Sequence, residues 1–594
     1  MAEIETHNYD VLVIGAGGAG LRAAVEASAL GARTGLVCKS LLGKAHTVMA
    51  EGGIAAAMGN VYSEDNWQVH FRDTMRGGKM LNNWRMAQLH AQEAPARVME
   101  LEEWGALFDR TEDGRILQRD FGGHRYARLA HVGDRTGLEM IRTLQQHAVH
   151  RGLDVYQECT VNRLLKDGDR ISGAFGYQRE SGRPILFRAK AVILATGGLG
   201  KVYAITSNSW EGTGDGHSLA IQAGADMIDM EFVQFHPTGM VWPPSVRGIL
   251  VTEGVRGDGG TLRNYSGERF MFNYIPTMFA AETADTEAEA DAWYEDRSKR
   301  RTPDLLPRDE VARAINSEVK AGRGSPHGGV FLDISTRRDA EYIKRRLPSM
   351  YHQFMQLAGV DITSEAMEVG PTAHYAMGGV RVDAETAATT VPGLFAAGEV
   401  AGGMHGSNRL GGNSLSDLVV FGKRAGEGAA QYALGLTADP AVDAAEVDQR
   451  AAAILKPFDG GEENPYTLHR ELQDSMQVNV GIIRTEAEMR AALAKIAELR
   501  ERLGRVQVEG NVQYNPGWHL ALDMEHMLTV AETITLAALE RKESRGGHTR
   551  DDFPGPSEEF GRMNMVVRAG AAGLAVRQEP LPPMPAELMK LFEE

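Results

Sequence analysis

Three short apolar runs, far apart in the chain, each end in glycine. Asp10-Val11-Leu12-Val13-Ile14 leads into Gly15. Ala191-Val192-Ile193-Leu194-Ala195 leads into Thr196-Gly197-Gly198. Gly393-Leu394-Phe395-Ala396-Ala397 leads into Gly398-Glu399. Runs this short and continuously apolar are the pattern of strands buried on both faces of a parallel sheet. After the first run, Leu21 to Leu30 carries helical spacing and Thr34 to Cys38 reads as the next strand, so the chain opens on a βαβ unit. The second and third runs, about 200 residues apart, imply one nucleotide-binding domain interrupted by an insertion.

Elsewhere the pattern changes. Asn413-Ser414 opens an amphipathic helix carrying Leu415, Leu418, Val419 and Phe421. Met489, Leu493, Ile496, Leu499 and Leu503 recur at helical spacing over Glu486–Leu503, and Leu520–Leu539 repeats that character. From Ser544 the chain is rich in glycine and proline and reads as an irregular tail. The fold class is α/β: a discontinuous Rossmann-like domain over 1–235 and 351–435, an insertion over 236–350, a helical domain over 436–543 and a C-terminal segment over 544–594. The charged stretch Glu282–Arg301 within the insertion reads as a solvated excursion or a partner contact, without chemistry. No internal repeat is visible.

The 594 residues exceed a single core; at roughly 100–200 residues per domain three to four units are expected. A net charge of −17 leaves no basic excess for phosphates and argues against nucleic acid, while local arginines can still receive small anions. Two cysteines, Cys38 and Cys159, are too few for a disulfide framework or a cysteine-bound cluster, and read as buried reduced thiols. The acidic start Met1-Ala2-Glu3-Ile4-Glu5 has no apolar core of a secretory signal, and no run of 18 apolar residues exists. A cytoplasmic location is the default, with attachment through a partner left open.

Gly15-Ala16-Gly17-Gly18-Ala19-Gly20, between a strand and a helix, fits a dinucleotide cradle. Gly15 allows the tight turn, Gly17 the approach of a pyrophosphate, and Gly20 the close packing of helix on strand. NAD folds carry an acid at the end of the second strand; Lys39-Ser40 stands there instead, which counts against NAD. His46, followed by Thr47 and by Gly52-Gly53, places an imidazole where backbone can approach a flat ligand. The residues alone leave an ordinary satisfied histidine equally open. Glu399 ends a strand and can bond cofactor hydroxyls. The helix at Asn413 directs a positive end that suits an anionic ring, with Ser414 as its N-cap, as a cofactor contact, or as both.

Taken together, these segments resemble the flavoprotein subunit of succinate dehydrogenase and fumarate reductase. The likeness spans nearly the whole chain. It includes Gly15–Gly20, His46-Thr47-Val48, Gly52-Gly53-Ile54, Gln234-Phe235-His236-Pro237-Thr238-Gly239, Thr252-Glu253-Gly254, His374-Tyr375-Ala376-Met377-Gly378-Gly379, Asn408-Arg409-Leu410-Gly411-Gly412-Asn413-Ser414 and Glu543-Ser544-Arg545-Gly546. The resemblance implies FAD attached through its 8α carbon to His46. It implies further FAD contacts at Gly15, Ala16, Gly17, Gly18, Ala19, Gly20, Lys39, Ser40, Thr47, Gly52, Gly53, Ala195, Thr196, Gly197, Asp215, Glu399, Asn413, Ser414 and Leu415. The insertion would be a capping domain. Electrons would pass to an iron–sulfur subunit docked on membrane anchor subunits, at the cytoplasmic face of the cell membrane.

Succinate oxidation removes a proton from one carbon and a hydride from the next, so two carboxylates must be held while a base and a flavin face adjacent carbons. By resemblance Arg409 clamps a carboxylate, His236 and His374 bind substrate, and Thr252 and Phe121 add contacts. Arg308 exchanges the proton, relayed by Glu253 and Arg256. An isolated arginine, with a pKa above ~12, is a poor base, and on residues alone Arg308 reads as an ion pair with Asp309 or Glu310. Two departures stand out: Glu51 where the family often has Gln, and Val255 where it often has Cys. The Glu282–Arg301 stretch is longer than usual and resembles actinobacterial-type members. Fumarate reduction uses the same constellation. An L-aspartate oxidase shares the fold but lacks the flavin-linking histidine, so His46 argues against it. A dead assembly protein is disfavoured by the complete set Arg308, Arg409, His236 and His374.

Overall fold

The structure is a computed structural model and describes residues 4–593; of the acidic start, Met1-Ala2-Glu3 lies outside the described residues. Its central sheet has seven strands in the order 154–156, 34–37, 5–14, 184–194, 170–178 and 159–167, with 394–396 also pairing 184–194. The three glycine-terminated runs are all in it, and the first two are longer than their apolar cores suggest: Glu5–Ile14 and Pro184–Leu194. They run parallel, in a register that pairs Ile14 with both Val37 and Leu194, and Leu194 with Ala396. The turns at Gly15, Cys38, Ala195 and Ala397 therefore leave one carboxyl edge of the sheet together, the edge where open α/β sheets bind ligands.

Gly15 has φ +110°, and a Cβ there would sit 2.1 Å from the Ala195 carbonyl oxygen. A Cβ at Gly20 would lie 1.8 Å from the Gly15 oxygen, so the Gly18–Ala29 helix packs on its strand only with glycine at that position. The Asn413–Gly435 helix packs across this first helix and starts behind Gly412, whose φ is +85°. Ser414 is thus not the N-cap; the left-handed turn that ends the preceding loop puts the cap two residues earlier.

A second core is built on an antiparallel sheet ordered Val233–Met240, Met367–Ala376, Val330–Asp333 and Thr261–Arg263. Three helices, Pro465–Asn479, Glu486–Leu503 and Pro516–Glu540, pack together in the C-terminal third. The last of these is buried nearly all round, with Trp518 donating to the Ile454 carbonyl at 2.6 Å. The segment after Ser544 departs from the irregular tail that its glycines and prolines suggest. Met563–Gly570 and Gly573–Pro580 form a hairpin that joins Met227–Ile228 and Gly379–Val380 in a four-stranded sheet. Their alternation is weak because much of the hairpin is exposed, so hydrophobic pattern gave little signal. Both cysteines are free and buried. No helix among the described residues is long and apolar enough to cross a membrane.

Candidate active site

A single cavity of about 460 Å³ runs from the carboxyl edge of the central sheet to the second core. It is lined at one end by Gly15–Ala19, Lys39, Ser40, Ala195–Gly197 and Asp215, in the middle by His46, Thr47, Gly52, Gly53, Glu399, Ser414 and Leu415, and at the other by Phe121, His236, Thr252, Glu253, Arg308, His374 and Arg409. The sequence expectation thus converges on one place with three exceptions. Gly20 acts through packing. Asn413 points away, its amide bonded to His70 and Thr74. Arg256 lies behind the wall.

The dinucleotide end fits FAD. Two helix N-termini, at Gly18 and Asn413, open on the cavity and suit negative charge. Lys39 stands where an acid would select NAD, and its Nζ bonds Asp523 (2.8 Å), Thr213 (3.0 Å) and Asp215 (3.3 Å). Burial pulls Lys39 down, but Asp215 and Asp523 outweigh it and hold the ammonium charged. Two buried atoms facing this space, His46 Nδ1 and Thr196 Oγ1, have no partner within the protein. Burial, with Lys201 nearby, pulls His46 down to about 4, so its imidazole is neutral. Glu399 accepts from the Ala376 amide at 3.0 Å, and burial pushes its carboxyl up to about 7.

At the far end, His236 and His374 come from adjacent antiparallel strands. The register skips at His374, Gln234 pairing Tyr375 and Phe235 pairing Ala373; this bulge brings the two imidazoles to 5.1 Å. Ser207 fixes His374 Nδ1 at 2.7 Å and the Thr238 carbonyl fixes His236 Nδ1 at 3.0 Å. Burial and the neighbouring arginines hold both rings well below the ordinary histidine range.

Arg308 begins the Arg308–Lys320 helix behind Pro307. Its neighbours Asp309 and Glu310 pair instead with Lys79 and Arg313, while Arg308 Nε donates to Glu253 at 2.9 Å. Glu253 also faces Arg256 at 3.8 Å, and Arg256 donates onward to the Asp304 carbonyl. Burial raises the Glu253 carboxyl, but Arg308 and Arg256 together outweigh it and bring it to about 2. Arg409 donates to Ser414 at 2.7 Å and lies 4.2 Å from the Tyr375 ring centre. Burial and Arg308 pull Arg409 down to about 9.

Sequence reasoning passed over three contributors. Gln234 Oε1 accepts from Arg409 at 3.1 Å and Arg308 at 3.3 Å, so one amide spaces the two guanidiniums. It lies two residues before His236 on the same strand, and period-two alternation points to it. Arg119 donates to the carbonyls of Gly52 and Glu51, fixing that loop. Arg301 donates at 2.9 Å to the carbonyls of both Phe121 and His124. The Glu282–Arg301 stretch is therefore not only a solvated excursion: Trp293 is buried, Tyr294 bonds the Arg256 carbonyl, and its end braces Phe121.

Comparisons with known proteins agree with this fold. A profile of the FAD binding domain matches residues 10–415, and one of the fumarate reductase flavoprotein C-terminal region matches 469–586. A fumarate reductase (CoM/CoB) polypeptide of Methanothermobacter marburgensis is 44% identical over 95% of this chain and 98% of its own length. The succinate dehydrogenase flavoprotein subunit of Coxiella burnetii is 37% identical over 93% of each. Among solved structures, Sdh1 of Mycobacterium smegmatis superposes with a TM-score of 0.87 at 59% identity, covering 99% of this chain and 97% of that one. The E. coli quinol fumarate reductase flavoprotein gives 0.88 at 34% identity and 98% of each. The chain belongs to the family of succinate dehydrogenase and fumarate reductase flavoprotein subunits.

Proposed function

We propose that this chain oxidises succinate to fumarate, reversibly, with FAD attached to His46, and passes the electrons through an iron–sulfur subunit to quinone in the membrane. The observation that carries this reading is the pairing of one cavity's two ends. A dinucleotide cradle opens directly onto two arginines and two neutral histidines. Arginine's planar fork suits a carboxylate, and the dianion supplies the negative charge that this end lacks.

When bound, FAD accepts the two electrons of a hydride. Arg409 and His374 hold one carboxylate of the substrate, and His236 with Thr252 receives the other; Phe121 closes the apolar side. Arg308 gives its Nε proton to Glu253 as it takes the proton lost from carbon, and Glu253 passes the proton it has received toward Arg256, which releases one in turn. Glu253 is ionised beforehand because Arg308 and Arg256 flank it, so it stands ready to receive that proton across the physiological range. The cofactor contacts follow the cavity lining, with Lys39, Asp215 and Glu399 on polar groups and Ser414 and Leu415 at the positive end of their helix. We assign 1–235 with 351–435 to the FAD-binding domain, 236–350 to the cap, 436–543 to the helical domain and 544–594 to the C-terminal domain.

The quinone reading is supported by the 59% identical Sdh1, solved with UQ1. The 44% identity to a fumarate reductase (CoM/CoB) polypeptide favours a second reading, fumarate reduction coupled to CoM/CoB in place of quinone. We place the protein at the cytoplasmic face of the membrane, held there by partners. Denaturing the purified protein in acid and inspecting its gel band for flavin fluorescence tests the attachment. Fluorescence that stays with the polypeptide is expected; flavin that washes out of a fully loaded preparation overturns the covalent bond. Quinone-linked succinate turnover by the assembled complex tests the acceptor.

A further inference from the structure

We propose that a second cavity, on the seam between the segment before residue 235 and the insertion, binds a tetrahedral oxyanion, inorganic phosphate, and that its occupancy tightens substrate binding. The phosphate site stands on its own geometry; the effect on substrate rests on the dicarboxylate reading above.

The cavity measures about 170 Å³, ample for one phosphate ion, since a water molecule takes about 30 Å³ of liquid. Arg119, Asp120 and His131 line it from one side of the seam; Asp258, Arg297 and Arg346 line it from the insertion. None of these six lines the cofactor cavity. The ion pairs among them are loose. Arg297 stands 3.7 Å from Asp120 and Arg346 stands 3.6 Å from Asp258, both beyond a hydrogen bond. Asp258 takes a closer bond from the Tyr342 hydroxyl, at 3.0 Å. The Arg297 and Arg346 side chains are 32% and 34% exposed, so a dissolved ion reaches both.

Arg119 is the inner member. Its Nε and Nη2 donate to the carbonyls of Gly52 and Glu51, and its Nη1 has no hydrogen-bond partner among the described residues. Burial pulls Arg119 down to about 10 and Arg346 adds to that, with Asp258 opposing, so it stays charged at neutral pH. Burial and Arg119 bring the His131 ring down to about 3, so it adds no charge. Three guanidiniums against two carboxylates leave the cavity with positive charge in excess. Guanidiniums offer only donors. Contributed by three separate segments, they match an anion with oxygens on every side, which phosphate has and a carboxylate lacks.

The link to substrate follows from where the walls come from. Arg297 with Asp120 crosses the seam without a hydrogen bond, so a phosphate bridging Arg119 to Arg346 adds contacts that exist only when the two sides meet. The dicarboxylate end needs the same meeting: Phe121 belongs to one side, and His236, Thr252 and Arg308 to the insertion. Arg119 also reaches that end directly, since the Gly52 carbonyl it holds at 2.7 Å belongs to the loop lining it. Two ligands that favour one arrangement tighten each other's binding by the same factor.

The test uses the assembled holoenzyme in phosphate-free buffer. Equilibrium dialysis with radiolabelled phosphate is run with and without saturating malonate, a dianion that fills the dicarboxylate end. One phosphate per chain is expected to bind at millimolar concentration or below, with malonate present as well. Arg346→Gln and Arg297→Gln are each expected to weaken it roughly tenfold, for loss of one charge-assisted contact. Phosphate is expected to lower KM for succinate roughly fivefold in wild type and to leave it unmoved in Arg346→Gln, whose phosphate-free turnover is unchanged. No phosphate bound at millimolar concentration overturns the site. Binding that malonate abolishes, or that both variants leave within twofold, overturns it too. An equal fall in KM with chloride at matched ionic strength is screening, and overturns the coupling. Phosphate that binds as expected to an enzyme that neither oxidises succinate nor reduces fumarate supports the site, and overturns the dicarboxylate reading together with the coupling.

Discussion

Two clusters of buried arginines sit in this molecule, and they are built on opposite principles. Around Arg541, in the C-terminal third, each guanidinium nitrogen has an acceptor. Its guanidinium meets Glu231 directly, Glu543 at 2.9 Å and Asp229 at 3.6 Å, and donates to the carbonyls of Phe560 and Met563. At the cavity, Arg308 and, behind the wall, Arg256 share the single carboxylate of Glu253, and Arg409 has no acidic ion-pair partner among the described residues. Nε of Arg409 and both Nε and Nη2 of Arg256 are buried without hydrogen bonds. The electrostatics diverge accordingly. Burial pulls Arg541 down, yet Glu231 and Asp229 outweigh it and raise it above its ordinary value; burial and a like charge bring Arg409 down to about 9. A paired cluster fixes structure. A cluster left short of negative charge suits an anion.

Three substitutions would break or sharpen that contrast. The largest effect is expected from Arg308→Ala, which keeps the flavin but lowers succinate turnover by about 10³-fold, in the range for loss of a proton-transfer group. Turnover near wild type, with unchanged flavin absorbance, would remove Arg308 from the chemistry. Next is Arg541→Ala, which leaves Glu231 buried without its partner, while Glu543 keeps Arg545. A loss of roughly 3–5 kcal/mol is expected in denaturant unfolding of the isolated chain. An unchanged midpoint would show that this cluster does not carry structure. The smallest is Gln234→Leu, which removes the amide spacing Arg308 from Arg409. KM for succinate is expected to rise about tenfold, or ~1.4 kcal/mol, with stability little changed. If kcat falls and KM does not, Gln234 serves the proton path rather than the carboxylate clamp.

The two regions also differ in how much of them is legible in the sequence. The cavity is legible because its parts are short and local: glycine-ended strands, Arg409 in a glycine-rich loop, histidines beside fixed turn residues. The sheet register then gathers what the sequence separates. Gln234 escapes notice because a neutral amide announces no chemistry until two guanidiniums meet on it. Arg308 is open to a neighbouring ion pair because Asp309 and Glu310 are adjacent, and only the fold brings Glu253 nearer. Asn413 reads as a cofactor contact since it sits at the helix start, but the turn at Gly412 rotates it toward His70. The C-terminal segment is the least legible: its hairpin is half exposed, and the acids around Arg541 come from positions 229, 231 and 543.

Lys39 has a consequence for how the protein is made. It leaves the ribosome early, yet the carboxylate it holds most closely, Asp523, lies 484 residues further on. At roughly 5–20 residues per second, that gap is about half a minute to a minute and a half of translation. Throughout that time the nascent cradle has its glycine turn, but Lys39 lacks the carboxylate it holds most closely, and only the docking of the last long helix completes that contact. A truncation that removes that helix is expected to keep every residue that lines the cavity, all of which lie before it, while freeing Lys39 from Asp523.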